Sequence, residues 1–196
     1  AVLIPRPETE LLVECAEQEL TGRFPEGEAV LRVLEFGVGS GVIAVSLAAD
    51  IPRVDVLATE TSPAAAAVAE RNAVRHGVAG RVHVRVQSDF EGIAGPFHAI
   101  VSNPPYVAER DRADLPPEVR DFEPEQALFA GLDGMRWLDL LLREAPRRLL
   151  PGGFLLVEIG EGMTRQITQA ADSSGLRIDR VVRDYAGIER HVLLVP

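Results

Sequence analysis

The residues of this chain best suited to do chemistry are Asn103-Pro104-Pro105-Tyr106, directly after the apolar run Phe97-His98-Ala99-Ile100-Val101-Ser102. Two consecutive prolines fix φ at two positions and remove two backbone donors, so the turn is stiff and its carbonyls stay free to accept from a ligand. Asn103 adds a side-chain acceptor and two donors, and Tyr106 adds an aromatic face with a polar tip. Together they can grip a planar NH2 group conjugated to a π system. Two acceptors take its two hydrogens while the ring lies against its plane. A primary amide and an exocyclic base amine both answer that description. Alone, the tetrapeptide reads equally as a Pro-rich turn after a strand, and the stretch upstream decides against that.

Upstream, Leu31 to Phe36 reads as a buried strand, Gly37-Val38-Gly39-Ser40-Gly41 as a tight turn and Val42 to Ala49 as an apolar helix. This is the first β-turn-α unit of a doubly wound sheet. Glycines at alternate positions let the backbone approach a ligand closely, and the helix start offers free N–H groups. The dinucleotide fingerprint G-x-G-x-x-G is not met, because position 42 is Val and the third glycine comes early at Gly41. Glu35-x-Gly37-x-Gly39-x-Gly41 instead matches the acidic-G-x-G-x-G pattern of methyltransferases that bind S-adenosyl-L-methionine. Glu60 ends the second strand, Val54 to Thr59, and can accept both hydroxyls of a ribose; the competing reading is a solvated strand-end acid. After a third strand, Val82 to Gln87, Asp89 is placed to accept from an adenine amino group and Phe90 to cover its ring. A turn aspartate and a core aromatic are the plain readings of the same two residues.

Periodicity gives the helices and strands that hold these residues. Pro5-Arg6-Pro7-Glu8-Thr9-Glu10 leads into an amphipathic helix with Leu11, Leu12, Cys15, Ala16 and Leu20 on one face, closed by Gly22. Ser62 caps a helix that starts at Pro63 and runs to Arg75. Val107 to Leu132 is polar and Pro-interrupted, and reads as an excursion over the crevice. Asp133 to Leu149 reads as a helix, Pro151-Gly152-Gly153 as a turn, Phe154 to Ile159 as a fifth strand and Glu161 to Ser174 as a helix. Leu176 to Arg183 and His191 to Val195 form a strand pair joined through Asp184-Tyr185-Ala186-Gly187. The first and fourth strands of such a sheet are neighbours at the topological switch point, so the glycine turn and Asn103 to Tyr106 should face one crevice.

Composition bounds the rest. With 196 residues the chain is long enough for one full core. A formal charge of −10 argues against a sequence-independent grip on nucleic acid, and no direct nucleic-acid binding is expected. The single Cys15 excludes an internal disulfide and multi-cysteine zinc sites, and the four histidines lack ligand-like spacing, so no metal is expected and a reduced, cytoplasmic setting fits. No run reaches the roughly 18 apolar residues that span a membrane.

From Pro5 onward the chain resembles the bacterial protein-(glutamine-N5) methyltransferases that modify peptide chain release factors. The matching pieces are Pro5 to Glu10, Glu35 to Gly41, Ser102 to Tyr106, Phe122-Glu123-Pro124 with Ala127-Leu128, Gly152-Gly153, and Asp184-Tyr185 with Gly187 and Arg190. Where that family usually has Asp at position 35 and often Thr at 38, this chain has Glu35 and Val38. The resemblance implies a Rossmann-like class I fold with a seven-stranded, mostly parallel sheet and an antiparallel last strand. It implies that Gly37 to Gly41 wrap the methionine end of S-adenosyl-L-methionine, Glu60 holds the ribose, Asp89 and Phe90 lie by the adenine, and Asn103 to Tyr106 bind the substrate glutamine in the Gly-Gly-Gln loop of a release factor. Residues 1–196 then form a single catalytic domain, and the family's N-terminal helical recognition domain is expected to be absent from the chain.

Amide chemistry sets the expected mechanism. An amide nitrogen is a poor nucleophile, so orientation by Asn103 and the Pro104 carbonyl is the main device. Competing readings are transfer to a ribosomal-protein glutamine, transfer to an exocyclic amine of DNA or RNA, and an adenosine-binding module without turnover.

Overall fold

The computed structural model describes residues 2–25 and 30–196. Among these residues seven segments extend into strands: β1 (Leu31–Phe36), β2 (Val54–Glu60), β3 (Val82–Val86), β4 (Phe97–Ser102), β5 (Leu149–Glu158), β6 (Arg177–Arg183) and β7 (Glu189–Val195). They form one sheet in the order β3-β2-β1-β4-β5-β7-β6, in which β7 alone runs against its neighbours. All six residues of β4 are buried, as is expected of a parallel strand covered on both faces. The sheet is the class I architecture that the sequence predicts.

Helices cover both faces. α1 (Pro7–Arg23), α2 (Val42–Asp50) and α3 (Pro63–Arg75) pack on one, burying Leu12, Leu20, Leu47 and Ala69 with Val33 and Val101 of the sheet. α5 (Arg136–Glu144) and α6 (Thr164–Ser174) pack on the other, burying Leu138, Leu141 and Ile167 with Leu34, Ile100 and Leu155. Ser62 caps α3 as predicted, accepting from the Ala65 N–H. Among the described residues no helix is long and apolar enough to cross a membrane.

Three expectations need correction. The helix expected over 133–149 shrinks to Arg136–Glu144. Its start is delayed because Asp133 Oδ1 accepts from the Met135 N–H in a turn that Gly134 makes at φ +81°, and it ends early because Pro146 has no N–H to continue the ladder beyond Ala145. Pro151-Gly152-Gly153 is not a separate turn but a bulge inside β5. The register steps from Phe97↔Leu149 to Ala99↔Phe154, so five residues of β5 pass against two of β4. α6 starts at Thr164 rather than near Glu161. The excursion carries a short helix α4 (Pro117–Phe122) and is tied back by the Arg6–Glu123 ion pair and a Val107↔Phe129 bridge.

The two strands that matter most for the site are locked at their ends. β1 and β4 are parallel neighbours, and Ser102 Oγ donates to the Phe36 carbonyl at 2.6 Å. The residues that follow each strand, Gly37 and Asn103, therefore leave the sheet side by side.

Candidate active site

One cleft opens at these strand ends. It is lined by Gly37, Val38, Gly39 and Ser40 of the glycine turn, by Glu35 and Glu60, by Asn103-Pro104-Pro105, by Thr9 of α1, and by Pro124, Gln126 and Ala127 of the excursion. Segments far apart in sequence meet here because the sheet reverses its strand order between β1 and β4.

The glycine turn is held by its neighbour strand. Gly37 and Val38 donate to the Thr59 carbonyl at 3.0 and 2.9 Å, and Gly39 N–H donates to Glu60 Oε2 at 2.9 Å. Gly37 and Gly39 have φ of +79° and +52°, and a Cβ at either would meet nothing within 4 Å, so their backbone stands open. Gly41 serves packing instead: its Cβ would lie 3.0 Å from Ala69 Cβ, and it is not part of the cleft wall. Glu60 clamps as well as lines, since Oε1 accepts from the Ser62 N–H at 2.9 Å and the Thr61 hydroxyl at 3.2 Å. Glu35 is buried and accepts from the Ala44 N–H in the first turn of α2 at 2.9 Å. Burial, partly offset by that hydrogen bond and reinforced by Glu60, holds its carboxyl well above the usual carboxylate range.

Asn103 is oriented from behind. Its Nδ2 donates to Thr9 Oγ1 at 3.0 Å, and Thr9 Oγ1 donates to Glu158 Oε2 at 3.2 Å. Tyr106 Oη donates to Glu158 Oε1 at a long 3.4 Å, and its ring faces Gly160, where a Cβ would sit 3.1 Å from Cδ2. Tyr106 is thus turned into the wall behind the cleft, which corrects the expectation that its ring lies against a substrate. Burial pushes its hydroxyl pKa up, with the neighbouring Glu158 adding to the rise.

Glu158 and His191 end this buried chain, with 3.9 Å between Oε2 and Nε2. They do not form an ion pair. Burial pushes the Glu158 carboxyl up from 4.5 to about 7 and the His191 imidazole down from 6.5 to about 4, so the neutral form is favoured on each. Between about pH 4.5 and 6.5 the folded pair holds its proton on the carboxyl, whereas the unfolded chain holds one on the imidazole, and the two slopes cancel. Breaking the pair should separate them. Glu158→Gln leaves the depressed histidine, so relative to wild type stability is expected to be lost as pH falls from about 6.5 toward 4. His191→Gln leaves the raised carboxyl, so stability is expected to be lost as pH rises from about 4.5 to 7. Each limb should approach roughly 1.4 kcal/mol per pH unit. Thermal melts from pH 4 to 7.5 check this, and slopes of the same sign in both variants would refute it.

Two other predicted residues lie elsewhere. Asp89 is exposed, and its Oδ1 accepts from the Glu91 N–H, as in a turn. Phe90 is buried in the core, stacked on Phe36 with ring centroids 5.1 Å apart and covered by the Arg148 guanidinium. Neither is part of the cleft wall; Gln87, just after β3, and Trp137, in the first turn of α5, line it instead. Thr9 and Glu158 were also missed as site residues. The signal for Glu158 is an acid inside the apolar run Phe154 to Ile159, which must find partners when buried.

Residues 7–116 match the methyltransferase small domain family. The chain is 43% identical over 193 residues to the release factor glutamine methyltransferase of Geobacter sulfurreducens, covering 98% of this chain and 65% of that protein. It is 44% identical to that of Bordetella pertussis, covering 96% and 68%. It spans about 65% of the length of several such curated relatives. The solved ribosomal protein L11 methylase from Lactobacillus delbrueckii subsp. bulgaricus superposes with a TM-score of 0.68 at 20% identity, over 97% of this chain and 79% of that one, which is a likeness of fold.

Proposed function

The chain belongs to the methyltransferase small domain family, among the release factor glutamine methyltransferases, and on that premise we propose that it transfers a methyl group from S-adenosyl-L-methionine to the side-chain amide nitrogen of the glutamine in the Gly-Gly-Gln motif of peptide chain release factors. The observation that carries this reading is the meeting, in one cleft, of an open glycine turn beside Glu60 with Asn103 and Pro104.

The cleft fits the cofactor. A carboxylate has about four lone-pair sites, of which Glu60 uses three. One site on Oε2 is open to a ribose hydroxyl, and the Thr61 hydroxyl is a single-bond rotor that a second hydroxyl can displace. Gly37 and Gly39 leave room for a ligand against the backbone. Gln87 and Trp137, which line the cleft, are assigned to the base. Bound S-adenosyl-L-methionine supplies an electrophilic methyl group on a positively charged sulfur.

The protein's own residues then do the positioning. Asn103 Oδ1 and the Pro104 carbonyl accept the two hydrogens of the glutamine amide, which fixes its plane and aims the nitrogen toward the glycine turn. Orientation of this kind lowers a barrier by roughly 7 to 11 kcal/mol when reacting atoms are held in near-attack geometry. The same two oxygens stabilise positive charge that develops on the nitrogen, and one of the two amide protons is then lost to solvent to leave the neutral N-methyl amide. A release-factor substrate places the reaction in the cytoplasm.

The test is transfer of labelled methyl from S-adenosyl-L-methionine to a purified release factor beside its Gly-Gly-Gln to Gly-Gly-Ala variant. Label confined to the Gln-bearing protein supports the reading. Label on nucleic acid, or on both proteins alike, overturns it.

A further inference from the structure

The buried chain behind Asn103 gives two residues a part in the reaction that the Asn-Pro-Pro-Tyr motif alone does not assign. We propose that Thr9 and Glu158 are positioning residues that fix which end of the Asn103 amide faces the cleft. This rests on the reading of Asn103 as the acceptor for the substrate amide.

A hydroxyl has one hydrogen to give. Thr9 Oγ1 gives its hydrogen to Glu158 Oε2 at 3.2 Å, so toward Asn103 it presents a lone pair and admits only an N–H. Nδ2 meets it at 3.0 Å, and Oδ1, the opposite end of the amide, is turned away from Thr9. Without an acceptor at position 158 the threonine hydrogen can swing to Asn103 and hold Oδ1 instead. The amide then turns over, Nδ2 faces the substrate, and two donors oppose each other where one hydrogen bond is required.

The direction of the chain is robust to the state of Glu158. Oε2 accepts from Thr9 when the carboxylate is ionised and Tyr106 donates to Oε1, and also when Oε1 carries the proton and donates it to Tyr106 Oη instead. Thr9 and Glu8 face Glu158 from α1, Tyr106 from the turn after β4, and Arg190 and His191 from β7. All three partners in the relay are held firmly: Thr9 and Glu158 are 3% and 2% exposed, and Asn103 follows the buried β4. Thr9 belongs to the Pro5 to Glu10 stretch, whose acids suit the N-terminus of α1 and whose threonine has no such structural duty.

Thr9→Val keeps the shape and removes the hydroxyl, Thr9→Ser restores it, and Glu158→Met removes the acceptor while filling the space. Thr9→Val and Glu158→Met are each expected to lower kcat about tenfold or more, with KM for the cofactor changed less than about twofold, and Thr9→Ser to recover most of the loss. Because both act through Asn103, the double variant should be no slower than the worse single one. Independent of turnover, the Asn103 side-chain NH2 signal, identified by its loss in Asn103→Ala, should exchange at least about tenfold faster in Thr9→Val than in wild type or Thr9→Ser. An unchanged exchange rate, or additive kinetic losses in variants that melt like wild type, would overturn the proposal. If wild type methylates no release factor, the reading of the reaction fails, while the NH2 exchange still decides whether Thr9 holds the amide.

Discussion

Asn103→Ala is expected to lower kcat for glutamine methylation by about two to three orders of magnitude, the scale seen when one preorganised hydrogen bond to a reacting group is removed. Cofactor affinity should stay within a few-fold, because the glycine turn and Glu60 are held by Thr59, Ser62 and Thr61 rather than by Asn103. Asn103→Asp should fare little better. Its carboxylate keeps an acceptor but has no N–H for Thr9, whose single hydrogen would have to serve either the new carboxylate or Glu158. Single-turnover methyl transfer beside equilibrium cofactor binding separates the two effects. A variant with kcat within threefold of wild type would remove Asn103 from the reaction.

Glu60→Ala should act on the other end of the cleft. It removes the acceptor for Gly39 N–H and Ser62 N–H and the site proposed for the ribose, and charge-assisted hydrogen bonds contribute about 1.5–3 kcal/mol each. Cofactor binding is expected to weaken by about 10- to 100-fold, with kcat at saturating cofactor much less affected. Glu60→Gln, which keeps one acceptor, should fall between. Trp137 is the only tryptophan of the chain and lines the cleft, so its fluorescence reports binding directly. Unaltered affinity in Glu60→Ala would leave this residue as a clamp on the glycine turn and nothing more.

Most of the fold was legible in the sequence because its signals are short-range. β1, the glycine turn and α2 follow one another within twenty residues, Ser62-Pro63 starts a helix by its own chemistry, and β4 delivers Asn103 by direct succession. The boundary that failed at 151–153 did so where a bulge depends on what the neighbouring strand does, in the step of β5 past β4, whereas the limits of the helix within 133–149 are set locally by Asp133, Gly134 and Pro146.

The site divides along the same line. Residue type and spacing suffice to put a glycine turn with an acidic partner and an Asn-Pro-Pro-Tyr turn at the ends of adjacent parallel strands. What each side chain does there depends on contacts between distant parts of the chain. Thr9 lies 94 residues from Asn103 and 149 from Glu158, and the packing of α1 over β4 and β5 is what joins them. Phe90 joins the core because Phe36 and Arg148 enclose it, and Tyr106 turns from the cleft because Glu158 is the acceptor within reach. A side chain's partners are set by which elements pack together: the apolar run around Glu158 marks an acid that must find partners when buried, but nothing local names Thr9 or Tyr106 as those partners.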